Sequence, residues 1–206
     1  MPNPNFDLYE KLIEMDIPVV FFNGYYPSLS GTYSVCADNQ AGGAELVRHL
    51  IERGHTKIAG FFKSDDIQGH QRYSGFISEL FRNGLIIPDE NVFWYITETK
   101  EELFNNPQEV LNRLGDNTAV VCYNDEVAFG LIKCLLSAGR RVPEDVAVVS
   151  FDNSNLSRIS PVTITSLSYE DRNIGKIAAQ KLVDILNGKE VTSEVLPWTF
   201  IQKESS

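Results

Sequence analysis

The polar side chains best placed for chemistry in this sequence stand where apolar runs stop. Ile58-Ala-Gly-Phe-Phe62 gives way to Lys63, Ser64 and Asp65, and Val92-Phe-Trp-Tyr-Ile96 to Thr97 and Glu98. Ala119-Val-Val-Cys-Tyr123 gives way to Asn124 and Asp125, and Val146-Ala-Val-Val149 leads to Asp152 and Asn153. Arg72 adds a planar fork of donors, and an ionised Asp152 only accepts, so the two can make charge-assisted hydrogen bonds to neighbouring polar groups of a ligand. Chemistry of that kind is recognition. Motifs that would make it catalysis are missing: there is no G-x-G-x-x-G, no G-x-x-x-x-G-K-[ST] and no G-x-S-x-G. The sequence therefore encodes no dinucleotide loop, phosphate loop or nucleophile elbow of those types.

The elements that must carry such groups are legible in the pattern. Runs that stay apolar along their length are strands buried on both faces, as in parallel sheets. Segments of helical periodicity follow them, and glycines close the helices at Gly54, Gly84, Gly115 and Gly139. A glycine just past the last periodic residue takes the left-handed turn that ends a helix. At the opening ends, Asn106-Pro107 supplies a cap and a first helical residue, and Asp38 or Asn39 can accept from the free amides of the helix that follows. The repeat of strand, helix and glycine predicts an α/β fold, its parallel strands joined by right-handed crossovers with helices on both faces. Ligands of such sheets bind outside the carboxyl ends of the strands.

Residues 38 to 167 make one nearly self-sufficient unit of this kind. Outside it, residues 6 to 15 read as a short amphipathic helix feeding the strand Ile17-Pro-Val-Val-Phe-Phe22. Residues 171 to 187 read as a longer helix stopped by Gly188, and Leu196 to Gln202 as a final strand. So few elements cannot bury their apolar faces alone. They are expected to belong to a second domain whose beginning is absent from this sequence.

Composition narrows the partners. The chain has 206 residues, 43% of them hydrophobic, enough for one large or two small cores, and a formal net charge of -10. An excess of carboxylates opposes the phosphate backbone of nucleic acid, so the chain is not expected to bind DNA by itself. No run is apolar for the ~18 residues of a membrane span, and the first seven residues lack the charged start and apolar centre of a secretory signal. A cytoplasmic location with no membrane partner is expected. Cys36, Cys122 and Cys134 are odd in number and scattered, and His49, His55 and His70 lack metal-ligand spacing. Free buried thiols are expected, with no metal and no cofactor.

Five blocks resemble, in order and spacing, the effector-binding domain of the LacI/GalR family of bacterial repressors. They are Asp38 to Ala59, Arg72-Tyr-Ser-Gly-Phe76, Tyr123-Asn-Asp-Glu-Val-Ala-Phe-Gly130, Val142 to Asp152, and Pro161-Val-Thr-Ile-Thr-Ser166. Within the family, the chain most resembles sensors of L-arabinose fused to a GntR-type winged-helix head. The resemblance implies the type I periplasmic-binding-protein fold: two Rossmann-like subdomains, three hinge crossings, and a sugar held between. Residues 1-37 and 168-197 would form part of the N-terminal subdomain, incomplete here. Residues 38-167 and 198-206 would form the C-terminal one.

By the same resemblance, Arg72 takes the place of the arginine that grips the sugar, Asn124 that of the amide before the aspartate, and Asp152 that of the carboxylate ending the following strand. Asn23 and Tyr169 stand where the other subdomain and a hinge crossing contribute. A ring of hydroxyls suits fixed donors and acceptors of these types. The residues alone leave other readings open: Arg72 also suits a surface ion pair, Asn124 and Asp152 suit caps, and Asn23-Gly24 suits a turn. Asp125 reads as a cap outright. Phe22, Trp94, Tyr95, Tyr123 and Phe151 suit either a stacking face or the core.

The resulting expectation is a sensor, a homodimer that binds a small sugar, L-arabinose in the first place, and so releases a fused DNA-binding domain from its operator. A transport-type sugar-binding protein of the same fold is the alternative, and a sugar-modifying enzyme the less favoured one. Arg72→Ala is expected to abolish binding while leaving the melting temperature nearly unchanged.

Overall fold

Each helix-stopping glycine of the pattern, Gly54, Gly84, Gly115, Gly139 and Gly188, has a positive φ in the computed structural model, which describes residues 6–169 and 173–206. Between these punctuation marks the chain forms α1 (Phe6–Glu14), β1 (Val20–Phe22), β2 (Tyr33–Ala37), α2 (Asn39–Glu52), β3 (Ile58–Lys63) and α3 (Ile67–Arg82). It continues through β4 (Val92–Tyr95), α4 (Pro107–Leu114), β5 (Ala119–Cys122), α5 (Asp125–Ser137), β6 (Ala147–Phe151) and α6 (Asn155–Ile159). Last come β7 (Thr165–Ser168), α7 (Ile174–Leu186), β8 (Glu194–Leu196) and β9 (Thr199–Ile201). The fold is α/β, as the alternation requires.

Contacts divide the chain into two units, Met1–Asp38 with Tyr169–Pro197, and Asn39–Ser168 with Trp198–Ser206. The first holds a parallel sheet in the order β1-β2-β8, with α7 packed against β1 and β2. Its central strand, β2, is one that the apolar runs do not reveal: Tyr33-Ser-Val-Cys-Ala37 is short, and it becomes a strand by pairing on both sides. The helix expected from Asp171 begins outside the described residues. It is seen from Ile174, where Asn173 Oδ1 accepts from the Lys176 amide at 2.8 Å.

The second unit is built on a six-stranded sheet in the order β4-β3-β5-β6-β7-β9, parallel except for β9 against β7. The apolar runs of β3, β5 and β6 are enclosed: Ile58, Phe61, Phe62, Val120, Val121, Val148 and Val149 have no solvent-accessible surface, whereas Trp94 of the edge strand β4 is 40% exposed. On one face α2 and α3 touch backbone to backbone. A Cβ on Gly43 would lie 2.2 Å from the Arg72 carbonyl oxygen, and one on Gly75 would lie 1.9 Å from that of Gln40, so only glycine permits the approach. This contact fixes α3, and Arg72 stands one turn before Gly75.

The final strand expected over Leu196 to Gln202 is instead two. β8 pairs with β2 in the first unit and β9 with β7 in the second. Pro197 lies between them, and without an N–H it cannot continue a ladder.

Candidate functional site

The strand order of the second unit reverses at β3, since the chain runs outward to β4 and then returns to β5 on the other side. A crevice opens at such a switch point, at the carboxyl ends of the strands. Polar residues converge there. Asp66 caps α3, its Oδ1 accepting from the Gly69 amide at 2.7 Å, while Oδ2 accepts from the Tyr123 hydroxyl at 2.7 Å and from Lys63 Nζ at 2.9 Å. Gln68 Oε1 lies 3.4 Å from the same hydroxyl. Asp65 Oδ2 accepts from the amide of Thr97 at 3.0 Å and from its hydroxyl at 2.6 Å. Burial works against both charges. Asp66 and Asp65 outweigh it at Lys63, whose pKa stays above its ordinary value, and Thr97 with Lys63 outweighs it at Asp65, which is held below.

Arg72 reaches this edge from α3, with only 3% of its surface exposed. Nε donates to Asn39 Oδ1 at 2.9 Å, Nη1 donates to the Tyr123 carbonyl, and Nη2 lies 3.3 Å from Asp152 Oδ1. Three rings surround the guanidinium, with centroids 4.2 Å (Phe151), 4.7 Å (Tyr123) and 5.6 Å (Trp198) from its carbon. The cation is desolvated and held by both hydrogen bonds and ring quadrupoles. A surface ion pair is therefore the wrong description, and the expectation that Arg72→Ala spares stability fails on the same burial.

Asp152 follows β6, with 30% of its side chain exposed. Its φ is +94° and that of Asn153 is +47°, a left-handed region that costs a residue with a side chain. Asn124 is the N-cap of α5, with Oδ1 accepting from the Val127 amide at 3.0 Å. Its Nδ2 has no hydrogen-bond partner among the described residues. Asp125, read as a cap of its own helix, is not one: it is 1% exposed and bonds to Ser150, Ser166 and the Ser154 amide. The cap position had already gone to its neighbour.

Asn23 follows β1 in the first unit, half-buried at φ +57°, with its amide donating to the Val35 carbonyl at 3.0 Å. Tyr169 follows β7 and is the first residue of the chain's return to that unit. The second unit thus brings Arg72, Asp152 and the Tyr123-Asn124 turn together by itself. Two cavities of the same unit lie elsewhere, one of about 220 Å³ lined by Glu45, Arg48, His49, Glu52 and Phe200, and one of about 140 Å³ beside Phe93, Trp94 and Arg113.

Sequence reasoning misses Asp66, Gln68, Asn39 and Trp198. Asp66 and Gln68 directly follow the polar end of β3, and extending that marked strand end by a few residues would have found them. Asn39 and Trp198 come to Arg72 from α2 and from the segment before β9, which no spacing signals. Among the described residues no group of three or more His, Cys, Asp or Glu could hold a metal ion, and no helix is long and apolar enough to cross a membrane. The three cysteines are free and buried.

Comparison with known proteins places this chain in a family. The model of a periplasmic binding protein-like domain matches residues 47–206. An arabinose metabolism transcriptional repressor of Halalkalibacterium halodurans is 35% identical over 191 residues, 90% of this chain and 50% of that protein. Its namesake in Geobacillus stearothermophilus is 35% identical over 195 residues, 92% of this chain and 52% of that one. The chain spans about half the length of these relatives. A solved complex of the transcriptional regulator CelR with cellobiose superposes with a TM-score of 0.87 at 29% identity, covering 97% of this chain and 62% of that one. A LacI family transcriptional regulator from Enterococcus faecium with bound ribose gives 0.83 at 26%, covering 97% and 74%. These relatives are transcriptional regulators rather than enzymes, in keeping with the absent catalytic motifs. The chain belongs to the periplasmic binding protein-like domain family, in the form that LacI-type transcriptional regulators carry.

Proposed function

We propose that this chain is the effector-binding part of a bacterial, cytoplasmic repressor of arabinose metabolism, and that a small neutral sugar, L-arabinose in the first place, binds at the carboxyl ends of β5 and β6. Sugar binding changes the operator affinity of a DNA-binding domain carried in the full-length protein, which acts as a homodimer. The first unit is assigned to an N-terminal subdomain and the second to a C-terminal one.

The observation that carries the reading is the pairing of Arg72 with Asp152 at the mouths of the strands. A sugar hydroxyl donates to the exposed side of the Asp152 carboxylate, and Asn124 Nδ2 donates to an adjacent hydroxyl oxygen. Arg72, with Nε, Nη1 and Nη2 each donating to a protein acceptor, orients Asp152 from beneath. Asn23 and Tyr169 are further contacts on the strength of the family resemblance. The names of the two arabinose repressors support the choice of sugar, and cellobiose and ribose in the structural relatives support carbohydrate as the class. A ligand moves such an equilibrium only by its different affinity for the two states.

Calorimetric titration of the full-length protein with L-arabinose, D-xylose, D-ribose, D-galactose and cellobiose, with gel shifts on its operator, tests this. Binding of L-arabinose that lowers operator affinity is expected. No heat with any of these sugars, or operator binding indifferent to bound sugar, overturns it.

A further inference from the structure

Under the turn that carries Asp152 lies a buried carboxylate that the site as described does not use. Asp125 opens α5 but leaves the capping of that helix to Asn124. Its Oδ1 accepts from the Ser150 hydroxyl and from the Ser166 hydroxyl at 2.7 Å, and its Oδ2 accepts from the Ser154 amide at 2.5 Å. Ser166 Oγ in turn accepts from the Asn153 amide at 3.0 Å. Two consecutive amides of the loop after β6 are thereby held, one by Asp125 directly and one through Ser166. These are the amides that follow and include the left-handed residues Asp152 and Asn153. From the other side, Lys203 Nζ donates to Asn153 Oδ1 at 2.6 Å and to Ser157 Oγ at 2.7 Å. Burial pushes the Asp125 pKa up against these donors, which favour the charged form.

A buried carboxylate must find donors, and the donors Asp125 finds, directly or through Ser166, are the amides of a strained turn. Backbone in this region persists when its surroundings over-determine it. Asp125 also sits next to Asn124 in the chain, so the same side chain joins the loop after β5 to the loop after β6. We infer that Asp125 is a positioning residue of the ligand site, fixing the left-handed Asp152-Asn153 turn relative to Asn124 so that both present their polar edges at a set separation. This rests on the reading of Asp152 as a ligand contact.

The test uses the full-length protein with L-arabinose, under conditions where circular dichroism reports each variant folded. Asp125→Asn and Ser166→Ala are compared with wild type by calorimetry and by amide hydrogen exchange, and Asp152→Asn is run in parallel. Asp125→Asn, or Ser166→Ala should the first variant not fold, is expected to weaken L-arabinose binding about tenfold or more. The Asn153 and Ser154 amides should lose exchange protection while Val127 and Ala128 of α5 keep theirs. Wild-type affinity in a folded Asp125→Asn, or retained protection at Asn153 and Ser154, overturns the inference. If Asp152→Asn itself binds L-arabinose like wild type, the reading of the site has failed instead, and the exchange result alone decides whether Asp125 holds the turn.

Discussion

Arg72 Nη2 and Asp152 Oδ1 lie 3.3 Å apart although 80 positions separate the residues, and solvent reaches them unequally. The arginine is 3% exposed in its side chain and the aspartate 30%. In the proposed site the arginine is therefore the support and the aspartate the part a sugar would meet.

Asp152→Asn is therefore the cleanest probe of recognition. Asparagine tolerates the left-handed backbone and keeps the shape while removing the charge. A hydrogen bond to a charged group contributes roughly 1.5–3 kcal/mol, so sugar affinity should fall roughly 10- to 100-fold. Calorimetric titration measures it, and unchanged affinity would remove Asp152 from the site.

Arg72→Lys should cost stability and binding together. A lysine cannot serve Asn39, the Tyr123 carbonyl and Asp152 at once, nor lie flat among Phe151, Tyr123 and Trp198. The positive charge stays, but each buried acceptor left without its donor costs about 1–3 kcal/mol. Urea unfolding reads the loss; a midpoint equal to wild type would contradict the geometry.

Gly75→Ala places a methyl group 1.9 Å from the Gln40 carbonyl oxygen, so α2 and α3 must separate. Overpacking of this type costs roughly 1–3 kcal/mol, occasionally more. Because Arg72 lies one turn away on the same helix, sugar affinity should drop in the fraction that remains folded. Thermal melts and titration of the same sample separate the two effects.

His49 predicts a pH dependence. Its Nε2 lies 2.9 Å from Ser206 Oγ, its Nδ1 3.3 Å from Arg53 Nη1, and its ring centroid 4.5 Å from that of Phe200. Burial first, then Arg53 and His55, lower its pKa from 6.5 to about 4. With the folded value below the unfolded one, the unfolded chain takes up a proton between those limits that the folded chain refuses. Stability from this group is whole above pH 6.5 and is lost as pH falls towards about 4. In His49→Gln the fall in melting temperature between about pH 7 and about pH 4.5 should be smaller than in wild type. An equal fall in both proteins would show that His49 titrates normally.

The strand ends, the helix-stopping glycines and the α/β class were determined by the sequence alone, because periodicity, glycine and apolar runs act over a few neighbouring residues. Asn106 and Pro107 open α4 as read, for the same reason. The tertiary structure decided what those local signals leave open. It gave the cap of α5 to Asn124 and buried Asp125 under the next loop, since both residue types cap equally well and only packing chooses between them. It split the last strand at Pro197 and made Tyr33–Ala37 the middle of a sheet. Above all, it closed Arg72 around partners 33, 51 and 80 positions away. No local pattern carries that information: the approach of α2 to α3 at Gly43 and Gly75 sets how deeply the guanidinium sits, and therefore which of its neighbours stays open to solvent.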